Sequence, residues 1–213
     1  AVKFLSDFRA DEKFRSPEIE IAFARVFPTE YLKQAAENVN KTVASDWRAM
    51  SGIAQGLGET ANIETVKGDS FYRDAVTKLL REYVDAFGAA QTELTKSLPD
   101  ALRAFAAFKT NDLEEVLRRN LENKDLFVRA AAAELLAEQP AKKENVEVLK
   151  KAFAAAILTD KDYNDAQLAI LDALFKLDKK ESAGTFLIAL DSKDYLVRKK
   201  AFELLRTKDL EKD

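Results

Sequence analysis

The chain has 213 residues and a mass of 23.9 kDa, enough for one domain or two small ones with a real core. It contains no Cys and no His, which removes disulfides, thiolate metal sites, cysteine nucleophiles, the usual base of a Ser-His-Asp triad and the commonest zinc ligand. With 34 basic and 37 acidic residues, 47% hydrophobic residues, six Gly and four Pro, it reads as a folded, weakly acidic chain, neither a nucleic-acid-binding domain nor a turn-rich all-β fold. No apolar run approaches the ~18 residues that span a bilayer.

The chain starts at Ala1 with no signal-peptide apolar region behind it. The expectation is a chain whose leader was removed, or a segment of something longer. Phenylalanines crowd the start, at Phe4, Phe8, Phe14, Phe23 and Phe27. Phe4 and Phe8 share one helix face. They read as an N-terminal cap on the first unit, with a contact for a neighbouring domain or partner as the functional alternative. Ser16-Pro17 marks a helix start, with Ser as cap and Pro at the first position. Ile21–Val26 resembles Ile53–Gly58 at an offset of 32 residues. Trp47, between Asp46 and Arg48, anchors a helix start; the alternative is a base-stacking pocket.

Gly52, Gly56 and Gly58 follow no strand, so they form no dinucleotide fingerprint and are expected at a helix C-terminus. The stretch from Gly56 to Gly68 is the place for an irregular insertion. Tyr72–Val84 is the centre of a longer, degenerate unit, and Pro99–Phe108 reads as a second helix.

From residue 111 the pattern sharpens. Leu113, Val116, Leu117 and Leu121 lie at helical spacing behind Asp112, a predicted N-cap. Asp125-x-x-Val128-Arg129, small residues and Glu134-Leu135-Leu136 then recur as Asp194-x-x-Val197-Arg198 and Glu203-Leu204-Leu205, 69 residues later. A weaker copy places Ala166 and Gln167 at the Val-Arg positions and splits the interval into 38 and 31. Amphipathic stretches at 146–153 and 182–190 precede the second and third copies, so the unit is helix, turn, helix. Ala130–Ala133 let helices approach closely, while Leu135 and Leu136 fill the core. Asp160, Asp162, Asn164 and Asp165 lack the Gly and the Glu of a calcium loop and read as a polar turn with an Asp capping the next helix. Doublets such as Arg118-Arg119, Lys150-Lys151 and Lys199-Lys200 read as solvated helix faces.

This pattern resembles HEAT repeats. The Asp in the turn and the Val-Arg pair opening the second helix carry the likeness, at Asp125, Val128, Arg129, Asp194, Val197 and Arg198. The likeness is clear over 112–206 and degenerate over 16–110. It implies an all-α fold, an α-α superhelix (solenoid) of about five to six helical hairpins, with 1–213 as a single domain. Each Arg is expected to pair with a turn Asp of its own or an adjacent unit, so that Asp125, Arg129, Asp194 and Arg198 form a structural ladder.

The exposed sides of the second helices would form a concave binding face, with Arg103, Glu134, Glu138, Asp172, Lys176 and Glu203 as candidates. Their mixed sign points to a protein or peptide ligand or a neighbouring domain of the same chain, with no nucleic acid, membrane, cofactor or metal and no catalytic residue. The stretches Glu20–Ala24 and Thr110–Glu138 are also similar to the solenoids that precede cyclophilin-type peptidyl-prolyl isomerase domains in some bacterial proteins. That likeness implies the HEAT segment of a larger isomerase as an alternative. A DNA glycosylase or bilin lyase relative is the minor one. The resemblance and the absence of Cys place the periplasm ahead of the bacterial cytoplasm.

Overall fold

The computed structural model describes residues 2–10, 16–40, 46–90, 92–160 and 162–206. Phe14 lies outside them. Thirteen α-helices and no strand occur among the described residues, so the chain is all-α, as expected. It forms two compact units, Ala1–Leu113 and Glu114–Asp213.

The first unit contains α1 (Val2–Ala10), α2 (Pro17–Val26), α3 (Pro28–Asn40), α4 (Trp47–Glu59), α5 (Glu64–Lys67), α6 (Ser70–Ala90) and α7 (Leu98–Ala107). An inner row runs α2, α4, α7, each packed on the next, while α1, α3 and α6 each precede and flank one of them. The irregular stretch after Gly56 is a 3-10 turn, Thr60–Asn62, followed by the single turn of α5.

Local chemistry sets these boundaries. Pro17 opens α2 behind an extended Ser16 whose side chain makes no cap bond to the backbone. Asp46 caps α4 by accepting from the Arg48 N–H at 3.0 Å. Trp47 is the first residue of α4, half-buried, with the Arg48 guanidinium 4.6 Å from its ring centre. Phe4 and Phe8 meet with ring centres 5.3 Å apart, yet Phe4 remains exposed. Phe23 is buried and edges against both Phe27 and Tyr31.

Gly56 and Gly58 lie in the last turn of α4, at a helix C-terminus as expected, and Gly52 lies mid-helix. None has positive φ, and Gly52, Gly56 and Gly58 all lie within the helix. They are there for clearance. A Cβ on Gly56 would fall on the Tyr31 hydroxyl, and one on Gly58 would lie 2.8 Å from the Ala104 Cα of α7. Tyr31 is fully buried and cannot yield, because its Oη lies 2.8 Å from Glu20 Oε2 and 3.1 Å from the Ile53 carbonyl.

The second unit contains α8 (Leu113–Asn120), which opens at the boundary, α9 (Leu126–Leu136), α10 (Lys143–Thr159), α11 (Asp165–Leu177), α12 (Lys179–Ala189) and α13 (Tyr195–Leu205). The inner row is α9, α11, α13, packed in that order, and α10 and α12 flank α11 and α13. Ala130–Ala133 and Leu136 are buried as expected, but Leu135 is only half-buried and does not fill the core.

Two glycine substitutions separate clearance from flexibility. Gly58→Ala is expected to destabilise by about 1–3 kcal/mol, because the methyl meets backbone. Gly184→Ala, in α12 with nothing within 4 Å of its Cβ, should stabilise by roughly 0.5–1 kcal/mol from helix propensity. Urea denaturation midpoints of the two variants check both signs.

Candidate protein-interaction surface

The inter-helix turns of the second unit are built twice from the same parts. Asn123 Oδ1 accepts the Asp125 N–H at 2.9 Å, and Asp125 Oδ1 then accepts from Phe127 and Val128 N–H, at 2.8 and 3.2 Å. Arg129 Nη1 donates back to the Asn123 and Lys124 carbonyls at 2.6 and 3.0 Å. In the later copy Ser192 Oγ accepts the Asp194 N–H, and Asp194 Oδ1 accepts from Leu196 and Val197 N–H, at 2.8 and 3.0 Å. Arg198 Nη1 donates to the Ser192 and Lys193 carbonyls at 2.7 and 2.8 Å. The Asp is thus an N-cap and the Arg a clamp on two turn carbonyls. In neither turn does a hydrogen bond join the Asp to the Arg.

Rungs between hairpins use other residues. Arg129 Nη2 donates to Asp160 Oδ1, and both side chains are buried. Asp160 stands in the turn between α10 and α11, 31 residues on. The next rung is neutral on one side, with Asn164 Nδ2 donating to Asp194 Oδ2 at 3.1 Å. The α10–α11 turn therefore corrects one expectation. The N-cap of α11 is Asn164, without a side-chain cap bond, and Asp160 is committed to Arg129. Gln167, at the Arg position of this unit, reaches only the Tyr163 carbonyl, at 3.3 Å. The expected pairing of an Arg with a turn Asp of an adjacent unit is met at Arg129 by Asp160, a residue the pattern did not single out as its partner, and Asn164 was likewise not singled out for Asp194.

A second polar cluster joins α8 to α10. Glu114 accepts from Lys142 Nζ at 2.7 Å and from Asn145 Nδ2 at 3.0 Å, and Arg118 Nη1 donates to Asn145 Oδ1 at 2.8 Å. The Lys142 and Asn145 bonds hold the Glu114 carboxyl below the ordinary range. Burial pushes Asp194 upward, but the Val197 N–H, the Asn164 amide, the Leu196 N–H and the Arg198 charge outweigh it and leave it lowered.

On this frame the candidate face residues are all exposed. Glu134 on α9, Asp172 on α11 and Glu203 on α13 occupy one repeat position, and Glu138 and Lys176 lie one turn further on. Lys200 Nζ of α13 lies 3.0 Å from both Asp172 oxygens, and Lys199 is 3.9 Å from Glu203. In the first unit Arg103 on α7 lies 3.8 Å from Asp100 Oδ1, whose other oxygen accepts from Ser51 of α4. Both signs of charge are exposed on α11 and α13, whereas α9 presents Glu134 and, just beyond its end, Glu138.

Among the described residues no group of three or more Cys, His, Asp or Glu is placed to hold a metal ion, and no helix is long and apolar enough to cross a membrane. Comparisons with family models, with curated proteins and with solved structures gave no match.

The turn geometry separates the two arginines. Arg129→Ala leaves Asp160 buried without its cation and is expected to cost about 3–5 kcal/mol. Arg198→Ala loses two bonds to turn carbonyls and the charge beside Asp194 but strands no buried carboxylate, about 1–3 kcal/mol. Equal effects in equilibrium denaturation would contradict the assignment of Asp160.

Glu114 and Asp194 bind protons more weakly folded than unfolded. Their contribution is therefore complete above the ordinary carboxylate values near pH 4 and is lost as pH falls through the lowered folded ones. The urea midpoint of the chain should drop between about pH 5 and pH 2, and a Glu114→Gln, Asp194→Asn double variant should show a shallower drop.

Proposed function

We propose that this chain is a non-enzymatic interaction scaffold of HEAT-like repeats, binding a protein or peptide on the exposed sides of its second helices. The observation that carries the reading is the row Glu134, Asp172, Glu203. One repeat position supplies an exposed acid on each of three consecutive inner helices, with Lys176, Lys199 and Lys200 interleaved.

The helices under this row are fixed by alanine packing and by the Arg129–Asp160 rung, so the charges stand on a rigid support. A ligand with both signs of charge spaced along an extended segment matches such a surface, and a uniformly anionic polymer does not. Arg103 on α7 and Glu138 beyond α9 belong to the same class of exposed second-helix positions.

Photo-crosslinking from single positions tests the reading. A crosslinker at Asp172 or Glu203 is expected to trap one defined protein in the native host, and a crosslinker at Lys151, exposed on α10, is not. Charge reversal at Glu134 and Glu203 together should abolish the adduct formed from Asp172 while leaving the melting temperature unchanged. Equal trapping from Lys151, or an adduct indifferent to the reversal, would reject the surface.

A further inference from the structure

The three second helices of the second unit can be compared position by position, and α13 differs from the other two along one stripe. Arg129, Ala133 and Leu136 on α9 are buried, and so are their counterparts Gln167, Leu171 and Leu174 on α11. The counterparts on α13 are Arg198, Phe202 and Leu205, spaced i, i+4 and i+7. Phe202 is 52% exposed, and Arg198 and Leu205 are only half-buried. The complementary stripe is unchanged, since Val197 and Ala201 on α13 are fully buried, as are Ala166 and Ile170 on α11 and Val128 and Ala132 on α9. So the inward stripe of α13 is buried like those of α9 and α11, and the difference lies on its other side.

What covers this stripe elsewhere is visible in the same unit. On α9 it lies under α11, and the Arg at its start donates to an Asp in the turn leading into that helix. Arg198 keeps the same clamp on its own turn carbonyls. Among the described residues it makes no ion pair across to another turn.

We propose that the Arg198–Phe202–Leu205 face of α13 is a docking surface for a further helical hairpin whose inter-helix turn carries a carboxylate, seated as α10–α11 sits on α9. The aromatic ring supplies apolar area, and the Arg198 guanidinium supplies the register by taking the turn carboxylate. This surface is distinct from the charged row of Glu134, Asp172 and Glu203, so its test is independent of that reading.

The fit can be tested with the hairpins of this chain as the probe. Residues 137–206 are repeated directly after Leu205, which reproduces at α13 the junction that follows Leu136. The added hairpins should be helical by circular dichroism, and backbone amides of residues 198–205 should exchange about tenfold more slowly than in the unextended chain. Replacing the added copy of Asp160 with Ala, or Phe202 with Glu, should return those amides to their original rates. Phe202→Glu in the unextended chain should leave its melting temperature unchanged.

Unaltered exchange at 198–205, added residues that gain no helix, or protection that survives both substitutions would each overturn the proposal. A concentration-dependent dimer of the unextended chain, broken by Phe202→Glu, would assign the face to a second copy and overturn it as well.

Discussion

The second unit depends on one buried guanidinium. Arg129 binds the Asn123 and Lys124 carbonyls of its own turn and the carboxylate of Asp160 in the next. It therefore ties the start of α9 to the end of α10 with a single rigid group. A planar fork with several donors suits this task, and a lysine could not serve all three oxygens from one nitrogen with the same geometry. Arg129 Nε and Asp160 Oδ2 make no hydrogen bond, so the pair is imperfectly compensated. Its worth lies in specifying which hairpin follows, and at what height, more than in net stability.

Around that rung the helices are close because their facing residues are small. Four consecutive alanines on α9 allow α11 to approach, and in the first unit Gly56 and Gly58 let Tyr31 and α7 reach the α4 backbone. Small residues leave little side-chain bulk to define a register. Directional polar contacts define it instead, namely Arg129–Asp160 and Asn164–Asp194 in one unit and Tyr31–Glu20 and Ser51–Asp100 in the other.

The same division organises the surface. Apart from Arg129 and Gln167, the positions buried between the second helices are small or apolar, and the position facing solvent is acidic in all three repeats of the second unit. On α13, where no described helix covers the equivalent stripe, Phe202 is exposed and Leu205 half-buried. That face is apolar where the row of Glu134, Asp172 and Glu203 is charged.

Helix class and hairpin periodicity were legible in the residues, because apolar spacing and the Asp-x-x-Val-Arg turn are local signals. Val128 and Arg129, Ala166 and Gln167, and Val197 and Arg198 all fall where the pattern puts them, at the starts of second helices. The exposure of Glu134, Asp172 and Glu203 followed for the same reason. The partner of Arg129 did not, because Asp125, Asp160, Asp162 and Asp165 are chemically alike, and only the stacking of one turn above another brings Asp160 within reach. The role of Gly56 and Gly58 was equally hidden. A glycine near a helix end reads as a cap, and it is the passage of Tyr31 and Ala104 across α4, set by tertiary packing, that makes it a clearance.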